Sequence, residues 1–236
     1  MSCKGLPNHS ELKAALAAAV GSPPSGNGGF NLHMWATIVD RDGIVCAVAF
    51  SGNDRGDQWP GSRVISAQKA NTANAFSLPG LALSTANLWA VTQPGASLFG
   101  LQHSNPVDTS VAYGGNPEQY GQDKDPMCGK RIGGVNVFGG GLALYNSEGE
   151  LVGALGVSGD SSCADHNIAW RTRKNLGLDH VPGGVSGDAA RPDNIVFDVT
   201  DDGGGNPTSA GGFGHPHAIS ADKESAIATT LPPIAK

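Results

Sequence analysis

Charged side chains are scarce: they make up 15% of the 236 residues, with 15 Lys and Arg against 21 Asp and Glu and a formal net charge of -6. The basic residues are scattered, so no electrostatic footprint for a phosphate backbone exists, and nucleic acid is not an expected partner. Long apolar runs are absent too. A membrane span needs roughly 20 such residues in succession, whereas the stretch from Leu12 to Val20 contains Lys13 and follows Glu11, so no membrane partner is expected. The four cysteines, Cys3, Cys46, Cys128 and Cys163, form no C-x-x-C pair, which argues against a zinc knuckle or a thioredoxin-like motif. Their even number permits two disulfides without fixing the pairing. No Gly-x-Ser-x-Gly elbow, H-E-x-x-H, Walker A loop or paired metal-ligand spacing occurs; the common hydrolase and nucleotide classes lose support, and no resident metal is expected.

What the chain does have is glycine and proline, 35 and 15 residues, with a hydrophobic content of 39%. That composition predicts a compact, loop-rich globule of one domain. Little lysine with much Gly, Asn and Ser favours a periplasmic or secreted protein whose signal peptide has been removed over a cytoplasmic one.

Ser10 precedes a run of strong helix formers ended by Gly21-Ser-Pro-Pro24, and a Gly-rich connector follows to Gly29. Two β-rich runs, residues 35–39 and 44–50, flank Asp40-Arg-Asp-Gly43, whose Asp-Gly step suits a tight hairpin turn. Residues 62–77 lack Pro and Gly and place Ile65, Lys69, Thr72, Ala73 and Phe76 at helical spacing; residues 84–92 predict a short third helix. The stretch from His103 to Arg131 is too long for a simple connection and reads as an inserted binding or interface loop. A second hairpin runs from residue 135 through Gly139-Gly-Gly141 to residue 157, and a helix follows from Ser161 to about Leu176. The fold class is therefore α+β, an antiparallel sheet of about five strands flanked by helices. The domain takes residues 1–178 with a core over 35–176. The tail, residues 179–236, is read as irregular, wrapping the domain or a neighbouring subunit, with residues 194–199 its one candidate strand.

Glycine at residues 133–141 leaves either a pocket floor, with Phe138, Gly139, Gly140 and Gly141 beneath a ligand, or tight packing against a helix. Ser158 and Gly159 lie at a strand-to-helix junction whose free N–H groups suit a ligand carboxylate, although capping by Ser161 or Ser162 explains the same residues. Asp165 sits in the first turn of that helix, with His166 beside it as a candidate iron ligand or proton donor. His103 opens the long loop, and His215 and His217 form a small cluster in the tail. Lys69 lies on a helix with a buried face, where snorkelling to solvent is the ordinary outcome. Arg63, preceded by Trp59, offers a charge and an aromatic for a planar ligand, or merely loop packing.

Five strings occur in one order: Ile38-Val-Asp-Arg-Asp-Gly-Ile44, Ala67-Gln-Lys-Ala-Asn-Thr-Ala-Asn-Ala-Phe76, Gln93-Pro-Gly-Ala-Ser-Leu-Phe-Gly100, Val137-Phe-Gly-Gly-Gly-Leu-Ala-Leu144 and Val152-Gly-Ala-Leu-Gly-Val-Ser-Gly159. Together they resemble the GlcG/HbpS family, whose relatives include the C-terminal domain of PduO-type proteins. The resemblance covers roughly residues 35–176 and implies a profilin-like fold, homo-oligomers and haem binding. Lys69 matches the Lys of the family's helix motif and Asp165 the acidic residue after its Val-Ser-Gly strand end. His166, His103 and Arg63 do not come from the general motif, and the inserted loop and the tail depart from it.

Three functions follow. The chain binds haem or another tetrapyrrole, sequestering iron or slowly degrading haem. It is an enzyme on a small carboxylate or aromatic metabolite, with Lys69 and Asp165 as a proton-transfer or anchoring pair. Or it is an oligomeric structural protein without chemistry.

Overall fold

The computed structural model describes residues 3–21, 26–201, 203 and 206–236. The expected helix stop at Ser22, Pro23 and Pro24, and most of the glycine turn at 202–205, lie outside the described residues. In chain order the elements are α1 (His9–Gly21), β1 (Trp35–Asp40), β2 (Val45–Phe50), α2 (Ser62–Phe76), α3 (Leu101–Ser104), α4 (Thr109–Ala112), β3 (Gly141–Tyr145), β4 (Leu151–Ser158), α5 (Ser162–Asn175), β5 (Val199–Asp201), β6 (Pro207–Ser209) and α6 (Ala221–Thr230).

Strands β2, β1, β4 and β3 form one sheet in that order, every neighbour antiparallel. The first hairpin closes as its residues demand: the Asp40 carboxylate accepts the N–H groups of Asp42 and Ile44 at 3.0 and 2.9 Å, and Gly43 takes a φ of 75°. Side chains alternate across the sheet. Ala36, Ile38, Leu142, Leu144, Leu155 and Val157 pack with α1 and α5, while Trp35, Val39, Val48 and Ala154 pack with Val64, Ala67 and Ala70 of α2. Helices thus cover both faces. Small residues let α2 come close: a Cβ on Gly156 would lie 1.9 Å from the Ser66 carbonyl oxygen.

Both sheet edges carry partners. At β3, the Gly141 N–H donates to Thr85 Oγ1 at 2.8 Å, Arg173 Nη1 donates to the Ala143 carbonyl at 3.1 Å, and the Tyr145 N–H donates to the Leu178 carbonyl at 2.9 Å. At β2, Val45 exchanges backbone bonds with Lys130 and Gly129 of the inserted loop, both at 2.9 Å.

Several expectations need correction. The main sheet has four strands, and a second sheet consists only of β5 and β6. Residues 194–198 are not a strand, because Asn194 and Ile195 spend their polar groups on His166, Asn87 and Ala228 rather than on a ladder. The short third helix is two 3-10 turns, Thr85–Leu88 and Ala90–Thr92; Ser84 and Asn87 close a capping box on the first, and the Gly214 carbonyl takes the Ala90 N–H at 3.2 Å. The tail also contains α6, whose Ile227 joins the main core along with Leu231. Cys3 and Cys46 form a disulfide, leaving Cys128 and Cys163 as free thiols. No helix among the described residues is long and apolar enough to cross a membrane.

Candidate functional site

Lys69 stands on α2 and Asp165 on α5, helices on opposite faces of the sheet, and they meet where glycine opens a gap beside β3. A Cβ on Gly140 would come within 2.3 Å of the Val157 carbonyl oxygen and 3.1 Å of Lys69 Nζ, and Gly140 adopts a φ of 119°. A Cβ on Gly139 would lie 2.3 Å from the Ser162 carbonyl oxygen, and one on Gly141 2.6 Å from the Lys69 carbonyl oxygen. With no side chains there, the Lys69 ammonium reaches across to Asp165 Oδ2 at 2.6 Å and to the Val157 carbonyl at 3.1 Å. Lys69 is 1% exposed and Asp165 2%; the lysine does not snorkel. Burial pushes the Asp165 carboxyl up to about 6, with the Lys69 charge and hydrogen bond pulling the other way.

Two N–H groups just before α5 and one in its first turn are taken by the chain's own acceptors. Asp165 Oδ1 accepts the Asp160 N–H at 2.8 Å, Asp160 Oδ1 accepts the Ser161 N–H at 2.6 Å, and Ser161 Oγ caps Ala164 at 3.3 Å. Ser158 ends β4, and Gly159 packs so tightly that a Cβ would lie 2.6 Å from the His33 carbonyl oxygen.

The tail lies over the glycine gap. His215 Nε2 accepts the Gly139 N–H at 3.4 Å, so its Nδ1 carries the proton and donates to the Pro216 carbonyl at 2.7 Å. Burial holds this imidazole down to about 4, neutral at pH 7. His166 is fully buried and likewise held down to about 4 by burial; its Nε2 lies 3.2 Å from both Asn194 Oδ1 and the Ile195 N–H, and its Nδ1 has no hydrogen-bond partner among the described residues.

Arg63 and His103 are not brought to this cluster. Arg63 sits six residues before Lys69, roughly 9 Å along α2, where it grips Asp125 through Nε and Nη2 at 2.8 and 2.5 Å and lies 3.7 Å over the Tyr120 ring. It fastens the inserted loop to α2. His103 is exposed on α3, and Phe138, 43% exposed, precedes the gap. Sequence reasoning missed Glu224, a fully buried carboxylate 3.1 Å from His217 Nδ1. The Gly214-His-Pro-His217 cluster was its only local signal.

Haem, the group that the resemblance implies, does not fit inside the gap, since carbonyl oxygens and the Lys69 ammonium fill the space a Cβ would need. The tail supplies donor chemistry of the kind haem iron takes: His217 is backed by a carboxylate, and Phe138 lies on the segment that His215 binds to the tail. Two clefts lie elsewhere. One of about 720 Å³ runs between the N-terminal segment, α1 and the end of α5; one of about 620 Å³ lies between residues 90–97 and β6.

Among solved structures the chain is similar to the PduOC complex with haem, at 23% identity and TM-score 0.49 over 73% of this chain and 94% of that one. It is similar to Klebsiella pneumoniae protein ORFY, at 23% and 0.47 over 72% and 90%. HbpS follows, at 18% and 0.41 over 72% and 90%. No curated protein matches the chain. A family model described as haem degrading protein HbpS-like matches residues 11–173, which hold the whole main sheet and both Lys69 and Asp165. By that match, which spans well over half of its length, the chain belongs to the HbpS-like family of haem-degrading proteins.

Proposed function

We propose that this protein binds haem or a closely related iron tetrapyrrole, on the face over the glycine gap rather than within it. The observation that carries the reading is the meeting of Lys69, Asp165 and Gly140 in one buried cluster inside the family-matched region. That cluster ties α2 to α5 and fixes the segment that bears Phe138 and receives the tail. Bound haem would supply an iron centre for redox and oxygen chemistry, in sequestration or slow degradation of the group. The chain's own residues would hold and orient it: Phe138 as an apolar contact, a tail histidine as donor. Haemin titration followed by absorbance tests this. A saturable, stoichiometric Soret shift is expected, and its absence would sink the reading.

An enzyme acting on a small carboxylate needs Lys69 and Asp165 in one place, and they are. Each spends its charge on the other, however, at under 3% exposure; this reading ranks second, and loss of turnover in Lys69→Ala would be its sign. We further propose homo-oligomers on a profilin-like frame, supported by exposed Phe30, Phe99 and Tyr113, and checked by sedimentation. The Cys3–Cys46 disulfide supports a periplasmic or secreted location.

A further inference from the structure

Glu224 is fully buried, and its oxygens collect donors. Oε1 accepts the Ile219 N–H at 2.9 Å, while Oε2 accepts the Ala218 N–H at 3.0 Å and faces His217 Nδ1 at 3.1 Å. A carboxylate that takes two backbone N–H groups is held as an acceptor, so the proton of the pair sits on His217 Nδ1. Among the described residues nothing hydrogen-bonds to His217 Nε2, and the His217 side chain is 31% exposed. The ring does not swing freely: Phe197 stacks on it at 4.0 Å and 18°. The segment is anchored at two further points, His215 to the Gly139 N–H at 3.4 Å and Cys163 Sγ to the Pro216 carbonyl at 3.7 Å.

An exposed histidine is ordinarily just solvated. A buried carboxylate on its far nitrogen is different, because metal-ligating histidines use that partner to fix the tautomer and strengthen the donor. An imidazole nitrogen left without a protein partner is a common ligand of haem iron. The competing histidines lack this combination. His166 is fully buried with Nε2 engaged, His215 uses both nitrogens, and His103 is exposed with no carboxylate partner among the described residues. His217 and Glu224 also lie beyond the residues that match the family model.

We infer that His217 Nε2 is the axial ligand this chain offers to haem iron, with Glu224 as the positioning carboxylate behind it. The inference rests on the haem-binding reading above and goes further by assigning the ligand to the tail.

The test titrates the full-length protein with haemin and records absorbance and resonance Raman spectra for the wild type, His217→Ala, His217→Gly with and without imidazole, and Glu224→Gln. His166→Ala and His103→Ala serve as comparisons, and circular dichroism checks the fold of each. The wild type is expected to saturate at one haemin per chain, and His217→Ala to bind about tenfold more weakly or worse with an altered Soret band. Imidazole should restore the wild-type spectrum to His217→Gly. Glu224→Gln should keep haem but lower the iron–histidine stretching frequency and raise the midpoint potential, a change that mere loosening would not produce. If the wild type binds no haemin, the haem-binding reading falls and takes this inference with it. If the wild type binds and His217→Ala binds equally with the same spectrum, only the assignment of His217 is overturned.

Discussion

Arg173 of α5 and Asp193 of the tail form a two-pronged ion pair from which solvent is wholly excluded, Nη1 to Oδ2 at 2.6 Å and Nη2 to Oδ1 at 2.9 Å. Removing one partner strands the other as a bare interior charge, which costs far more than the pair itself contributes. Asp193→Ala should lower unfolding free energy by about 3–5 kcal/mol in a denaturant titration. The double variant Arg173→Met with Asp193→Leu should recover most of the loss. A drop in Asp193→Ala below about 1 kcal/mol, the range of exposed pairs, would contradict the pairing.

Lys69→Met deprives Asp165 of its counter-charge in the same way, with a loss of about 3 kcal/mol at pH 8. Burial already raises this carboxyl to about 6, and without the ammonium it rises further. Protonation then relieves the unpaired charge, so the penalty should shrink on going from pH 8 to pH 5. A penalty equal at both values would show that Asp165 is not the group left uncompensated.

His166 and His215 each titrate near 4 in the folded protein against 6.5 as free side chains. The unfolded chain therefore binds more protons between those values, and stability is complete above pH 6.5 and falls as pH drops toward 4. At roughly 1.4 kcal/mol per pH unit, each contributes about 3 kcal/mol by the end of that range. Asp165 works in the opposite sense: its raised value means the folded state gains from protonation below about 6, offsetting about half of the loss. Thermal unfolding at pH 7 and pH 4.5 should show a net decrease. Phe replacement at His215 should flatten the slope; an unchanged slope would mean that His215 is not held neutral.

A Cβ at Gly156 would lie 1.9 Å from the Ser66 carbonyl oxygen and 2.5 Å from the Ala70 backbone nitrogen, both in the body of α2. Gly156→Ala should therefore push the helix from the sheet and cost about 1–3 kcal/mol. Gly61→Ala, with nothing within 4 Å of the added carbon, should be neutral to within about 0.5 kcal/mol.

Thiol titration of denatured protein should count two reactive groups before reduction and four after it, as the Cys3–Cys46 bridge and the free Cys128 and Cys163 require. Across a separation of 43 residues, reduction should lower stability by about 4 kcal/mol on the loop-entropy model. Four thiols before reduction would rule the bridge out.

Where a structure is made by neighbours in sequence, the chain announces it. Asp40 and Gly43 shape their own hairpin turn, Ser161 caps α5, and an uninterrupted helical period runs through α2. Lys69 was legible through the family string that contains it, and Asp165 through its place after the Val-Ser-Gly strand end. The tail was not, because its order comes from partners far along the chain: Gly139 for His215, Arg173 for Asp193 and His166 for Asn194. Helix α6 has strong helix formers in Ala221, Lys223, Glu224, Ala226 and Ala228 but buries only Glu224, Ile227 and Ala228, so no apolar stripe marked it. Glycines 139–141 allowed two readings in sequence, and only the contacts distinguish a packed gap from an open floor.

The partners along the two sheet edges reach beyond the stability of one chain. A bare edge strand is a template on which another polypeptide can add a strand, productively or toward fibrils. Here a threonine hydroxyl, a guanidinium and the tail backbone occupy β3, while the inserted loop holds the start of β2. Those stretches of edge are thereby closed to a strand from another copy of this protein.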